Sequence, residues 1–203
     1  MKETKIAGII LSGGKSSRFG RPKAFEQFNG KPFYQYAYEA LAPYSDEAAV
    51  VSHAALTERF TAETNFNVIE DQPPYIGKGP LSGLYAAMKL LKADYYFILA
   101  CDMPLFDETA AGKLLQQLTD ESLNSIVPRS EGRIHPLCAI YHKDTLPELE
   151  KQLETGSYRM KEWLNRIDVS VLDEKEHCIP VSCFKNVNDQ QELSAIYEIE
   201  NNY

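Results

Sequence analysis

The chain has 203 residues, 44% of them hydrophobic and 25% charged, with a net charge of -8. That length carries one substantial core and predicts a single domain over 1–203, while the acidic balance excludes the broad basic footprint of a nucleic-acid binder. No apolar run approaches the ~20 residues that span a bilayer, so no membrane partner is expected and the expected location is the cytoplasm.

Lys5 to Leu11 is a short, nearly all-apolar run that predicts a strand buried on both faces, as in a parallel sheet. Ser12 to Lys23, rich in Gly, Ser and basic residues, predicts a loop. Pro32 suits the first turn of a helix whose apolar face is Phe33, Tyr36, Ala37, Ala40 and Leu41, and Pro43 marks its end. Strands are predicted over Glu47 to Ser52 and Phe66 to Glu70. The Pro- and Gly-containing stretch Asp71 to Gly79 predicts a loop, and Leu81 to Leu91 a helix. Tyr95 to Ala100 is a second continuous apolar strand, and Asp107 is the expected N-cap of a helix running to Leu118. Strands follow at Asn124 to Val127 and His135 to Tyr141, then helices over Lys143 to Leu153 and Arg159 to Leu164. Weaker strand signals lie at Ile167 to Leu172 and Phe184 to Val187, before a closing helix from Asp189 to Ile199. This alternation predicts an open, mostly parallel α/β sheet with helices on both faces and an antiparallel excursion near His135 to Tyr141. The cysteines, Cys101, Cys138, Cys178 and Cys183, form no C-x-x-C pair and read as buried reduced thiols.

In such sheets ligands lie beyond the carboxyl ends of the strands, where several polar motifs fall. Leu11-Ser-Gly-Gly-Lys-Ser-Ser-Arg-Phe-Gly-Arg-Pro-Lys23 joins the bare backbone of Gly13 and Gly14 to four cations, Lys15, Arg18, Arg21 and Lys23. It suits a triphosphate, yet its spacing fits neither G-x-x-x-x-G-K-[ST] nor G-x-G-x-x-G. A tight turn with solvated cations is the plainer alternative. Asp102, just past the apolar strand, can hold Mg²⁺, which takes one or two carboxylates plus phosphate oxygens, or can cap a turn before Pro104. Asp71 can meet a base or ribose, or serve the turn ahead of Pro73-Pro74, and Gly79 and Gly83 leave room for a ligand at the next helix start. His135 can orient an acceptor or make a structural hydrogen bond. Asn186 and Asn188 point to the same side of an extended chain, although Asn188 can also be an N-cap.

Together these segments resemble the molybdenum cofactor guanylyltransferases, the MobA family of Rossmann-like nucleotidyltransferases, from Ile9 to about Leu193. The loop from Leu11 to Lys23 is shared by the larger group. Gly79-Pro-Leu-Ser-Gly-Leu84, Cys101-Asp102-Met-Pro104, His135-Pro136 and Asn186-Val-Asn188 are more particular to MobA. The resemblance implies that Leu11, Ser12, Gly13, Gly14, Asp71 and Gly79 bind GTP, and that Lys23 holds its phosphates. It further implies that Asp102 binds Mg²⁺ and the nucleotide, that Arg18, Lys23 and Asp102 are catalytic, and that His135, Asn186 and Asn188 face the acceptor, molybdenum-molybdopterin. Ser12 replaces a common Ala, Phe19 a common Met, and Ser52 a common Asn. Implied partners include transient contacts with molybdenum-insertase or molybdoenzyme-chaperone proteins. The rival readings are a CTP-dependent molybdopterin cytidylyltransferase, a sugar- or polyol-phosphate nucleotidyltransferase, and a non-catalytic nucleotide or pterin carrier.

Overall fold

β1 (Ile6–Leu11) is buried from Ala7 to Leu11 because both its faces are covered. Its alternate side chains enter two different cores: Ile10 packs on one side of the sheet, Ala7, Ile9 and Leu11 on the other. The structure, a computed structural model, describes residues 4–13, 22–119 and 125–200. Along the chain β1 is followed by the two-residue strands β2 (Gln27–Phe28) and β3 (Lys31–Pro32), α1 (Phe33–Leu41), β4 (Glu47–Ser52), α2 (Ala54–Glu63), β5 (Asn67–Glu70), α3 (Pro80–Leu90) and β6 (Tyr95–Ala100). Then come α4 (Glu108–Leu115), β7 (Ser125–Ser130), β8 (Arg133–Ile134), β9 (Cys138–His142), α5 (Leu146–Glu154), α6 (Met160–Leu164), β10 (Ser170–Leu172), α7 (Glu174–His177) and α8 (Gln190–Glu200).

The main sheet runs β10-β7-β9-β6-β1-β4-β5, with β8 beside β7. β1 is parallel to β4 and β6, and β4 to β5. β9 is antiparallel to both β6 and β7, which is the expected excursion, displaced to begin at Cys138. One core holds buried residues of α1, α2 and α4; the opposite core holds those of α3, α5 and α6. Helices therefore cover both faces. Gly8 lets the end of α1 lie close, since a Cβ there would meet Ser45 Oγ at 2.5 Å and Leu41 Cβ at 3.3 Å. Asp107 caps α4 by accepting from Ala110 N at 2.8 Å.

Several elements differ from expectation. α2 has only two buried residues, Leu56 and Phe60, too sparse a stripe to announce itself. β2 and β3 form a hairpin turned by Asn29 and Gly30, both at positive φ (47° and 74°), the conformation an Asn-Gly pair favours. α7 is opened by a capping box between Asp173 and Glu176. The strand expected over Phe184 to Val187 is absent. A 3-10 turn spans Val181–Phe184, and Val187 N donates to the carbonyl of Asp102 at 2.8 Å instead of to a sheet neighbour. Cys101, Cys138 and Cys183 are buried as expected, but Cys178 is exposed, at the left-handed end of α7. Burial raises the thiol pKa of Cys101 and Cys138, which keeps both protonated. Among the described residues no helix is long and apolar enough to cross a membrane.

Candidate functional site

From β1 the chain moves outward through β4 and β5, then returns over α3 to lay β6 on the other flank of β1. The order reverses between β1 and β6, so their carboxyl ends flank the crevice where such sheets take ligands. Cys101 N donates to Leu11 O at 3.0 Å, which places the start of the Asp102 segment beside the end of β1. Ser12 is tied to the neighbouring β4: its N and its Oγ both donate to Val51 O, at 3.0 and 2.9 Å. Gly13 is exposed, with open space where a Cβ would stand. Gly14 and Arg18 lie outside the described residues.

At this rim the structure brings Lys23, Asp102, Asn186 and Asn188 into one clamp. Lys23 Nζ donates to Asp102 Oδ2 at 2.9 Å and to Asn188 Oδ1 at 2.8 Å. Asn186 Nδ2 donates to Asp102 Oδ1 at 2.8 Å. Both oxygens of the carboxylate are therefore engaged, and Val187 N, between the two asparagines, holds the Asp102 carbonyl. Lys23 and Asp102 retain 17% and 18% side-chain exposure, so the pair is partly desolvated yet reachable from solvent. Lys23 opens a 3-10 turn whose Ala24 and Phe25 are buried, which anchors the base of its side chain. Val187 is buried against Phe28, Phe33, Leu193 and Ile196, which anchors the asparagines.

Asp71 stands across the crevice, past β5. Its Oδ2 accepts from Gly77 N at 2.8 Å and lies 3.3 Å from Ser82 Oγ. The Ser82 proton goes to the closer acceptor, Gly79 O at 2.6 Å. Gly79, at φ 93°, precedes α3, a backbone angle that favours glycine. Gly83 lets this helix approach the sheet: a Cβ there would meet Val51 Cγ1 at 2.8 Å, with Leu11 and Asp71 at 3.5 and 3.7 Å. Asp71 thus pins its own loop and stays beside the end of β1.

His135 lies in the turn between β8 and β9. Its Nε2 is 2.8 Å from Ser130 Oγ, and its ring stacks on Phe184 at 4.6 Å and 22°. Burial first, then the nearby His177 and Arg133, lowers its pKa below the ordinary value of 6.5 and favours the neutral ring. It borders a groove of about 530 Å³ whose lining also includes Asn186, Asn188, Arg133, Lys185 and Glu192. The groove and the clamp therefore share their asparagines. Glu192 contributes by accepting from Asn188 N at 2.5 Å. It was missed in the sequence because, on a helix face, it reads as an ordinary solvated carboxylate.

Residues 8–171 match the family described as the MobA-like NTP transferase domain. The chain belongs to this MobA-like family. It is similar to the probable molybdenum cofactor guanylyltransferase of Geobacillus sp. (strain WCH70), 40% identical over 192 residues, covering 95% of this chain and 98% of that one. The Bacillus subtilis (strain 168) protein of the same description is 34% identical, covering 97% of each. Among solved structures, molybdopterin-guanine dinucleotide biosynthesis protein A from Archaeoglobus fulgidus superposes with a TM-score of 0.83 at 22% identity, over 97% of this chain and all of that one; this likeness speaks to fold. Membership makes the chain a nucleotidyltransferase, an enzyme class with the same mixed sheet.

MobA-like enzymes generally use a divalent metal. Among the described residues no group of three or more His, Cys, Asp or Glu stands ready to hold one. Asp102 nevertheless fits a hard cation that completes its shell with substrate phosphates and water, because that arrangement needs one or two protein carboxylates. The Lys23 ammonium, 2.9 Å from Oδ2, shows the carboxylate already turned toward positive charge.

Proposed function

We propose that this chain transfers GMP from GTP to the terminal phosphate of molybdenum-molybdopterin, giving the guanine dinucleotide form of the cofactor and pyrophosphate. The observation that carries the reading is the clamp at the switch point, in which Lys23 and Asn186 both bind Asp102 and Lys23 also binds Asn188. It joins the residues expected on the triphosphate side to those expected on the acceptor side. The names of the relatives at 40% and 34% identity support the same reaction.

In this reading the backbone of Leu11, Ser12, Gly13 and Gly14 cradles the nucleotide, and Gly79 and Asp71 border its nucleoside end. Lys23 and Arg18 neutralise the triphosphate. His135, Asn186 and Asn188 receive the acceptor. Asp102 would hold Mg²⁺, which when bound supplies positive charge to phosphate oxygens. An acceptor phosphate oxygen forms a bond to the α-phosphorus while the bond from that phosphorus to the bridging oxygen of pyrophosphate breaks. The attacking phosphate is already ionised, so no general base is required. The residues act by alignment and by charge, and Lys23 stabilises the leaving pyrophosphate.

The test is a side-by-side assay of GTP, CTP and UTP with molybdenum-loaded molybdopterin, following pyrophosphate and the dinucleotide product. GTP is expected to support turnover. Full preference for CTP, or nucleotide binding without acceptor-dependent pyrophosphate release, overturns the proposal.

A further inference from the structure

The two oxygens of Asp71 are differently placed. Oδ2 accepts from Gly77 N at 2.8 Å and closes residues 71–77 into a ring. Oδ1 lies at the crevice, 3.7 Å from where a Cβ on Gly83 would stand. Two backbone bonds shape the ring further: Tyr75 N donates to Gln72 O at 3.0 Å, and Lys78 N to Tyr75 O at 3.2 Å. Bonds of this local kind fix the shape of a loop and not its place on the molecule. Of residues 73–79 only Tyr75 is half-buried; the others are exposed, Ile76 to 61%. The Tyr75 ring packs on the core that holds α3, α5 and α6, edge to face with Tyr85 of α3 at 5.3 Å and 87°. Tyr85 is held in turn, since Lys89 lies over its ring at 5.8 Å and pairs with Glu150 of α5 at 3.0 Å. Lys78 adds a lighter contact over Tyr158, at 5.5 Å.

We infer that Tyr75 is a positioning residue for the nucleoside end of the nucleotide: its ring, seated on Tyr85, fixes the Asp71 loop before substrate arrives, and it acts through Asp71. The inference rests on the function proposed above, which puts Asp71 and Gly79 at that end, and adds a residue outside the crevice that sets affinity there. Edge-to-face rings attract through their quadrupoles, and this pair joins the loop to the helix whose start, from Gly79 to Gly83, lies beside Asp71. A loop held in place beforehand loses little freedom on binding. The clamp of Lys23, Asp102, Asn186 and Asn188 draws on other segments, so its grip on phosphate is independent of the Tyr75 ring.

The test is calorimetric titration, in magnesium buffer, of wild type, Tyr75→Ala, Tyr75→Phe and Tyr85→Ala with GTP, CTP and inorganic tripolyphosphate. GTP affinity should fall about tenfold in Tyr75→Ala, the cost of ordering a loosened loop on binding. A similar fall is expected in Tyr85→Ala, which removes the seat from the other side. Tyr75→Phe keeps the ring and should stay within about twofold of wild type. Tripolyphosphate has no nucleoside end and should bind all four proteins equally. In the transfer assay Tyr75→Ala should raise KM for GTP by the same factor while kcat and KM for the acceptor hold, the mark of a contact made equally in ground and transition states. Unchanged GTP affinity in Tyr75→Ala, its loss in Tyr75→Phe, or an equal loss for tripolyphosphate overturns the positioning role. Guanylyl transfer with unaltered GTP KM in Tyr75→Ala would also sink that role and leave the proposed function standing. Nucleotide binding that needs Tyr75 but prefers CTP, or that leads to no transfer, would do the reverse.

Discussion

Asp102→Asn probes the clamp with the least change of shape. The amide keeps the size of the carboxylate and leaves the bond from Val187 N to the backbone carbonyl intact. It removes the charge, however, and one of its two ends becomes a donor. That end cannot face Lys23 Nζ, which now donates at 2.9 Å, so it turns to Asn186, whose amide must flip to present Oδ1 where Nδ2 now donates at 2.8 Å. Lys23 also loses its counter-charge. Exposed ion pairs contribute about 0–1 kcal/mol and the rupture of fully buried ones costs about 3–5 kcal/mol. At 17% and 18% exposure the pair falls between, and about 1–2 kcal/mol is expected, or about 2–8 °C in Tm for a chain of this size. Turnover should suffer far more. Loss of one preorganised electrostatic contact costs about 2.7–4 kcal/mol, a fall of about 10²–10³ in kcat, and loss of the carboxylate proposed to hold Mg²⁺ adds to it. Pyrophosphate release by the purified variant, with its melting curve, checks both. A folded variant that turns over at near wild-type rate would refute the roles assigned to Asp102.

Gly83→Ala is expected to destabilise the protein by about 1–3 kcal/mol, because its new methyl must displace Val51 Cγ1 from 2.8 Å. It should also raise KM for GTP, since α3 moves away from Leu11 and Asp71; urea melts and steady-state kinetics read the two effects. For pH, the folded-state pKa of His135 lies below its unfolded value, so the unfolded chain takes up the proton first as pH falls. Its stabilising contribution is complete above about pH 6.5 and declines as pH drops from there through the folded value. The drop in Tm between pH 7.5 and 5.5 should therefore be smaller in His135→Phe than in wild type, and equal drops would remove this account.

The central strands were readable because they are buried on both faces. Glu47–Ser52 and Tyr95–Ala100 coincide with the apolar runs, and the reversal at β9 falls where expected. α2 escaped because its stripe contains only Leu56 and Phe60, and tertiary packing supplies what the pattern lacks. The hairpin at Asn29-Gly30 carried a legible signal that was overlooked. The region 184–187 misled because Phe184 and Val187 are apolar for a different reason: each is a core anchor that carries polar neighbours to the rim. Lys23, Asp102, Asn186 and Asn188 could be singled out one by one from chemistry. That they bond to one another needed the coordinates, because no periodicity connects positions so distant. The groove was less visible still, since it is assembled from β7, β8, the 181–188 segment and α8.

The bond between Lys23 and Asn188 closes a separation of 165 residues. Ring closure over such a span costs only about 0.6 kcal/mol more than over half of it, so the distance is no thermodynamic burden. Its effect is on timing. During synthesis the strands can pair as they emerge, whereas this tether waits until residue 188 has left the ribosome. A newly made chain would thus own its whole sheet and the Lys23–Asp102 pair before it owned the asparagine side of the clamp, and a product released before α8 would leave Phe28 and Phe33 without Leu193 and Ile196 to cover them.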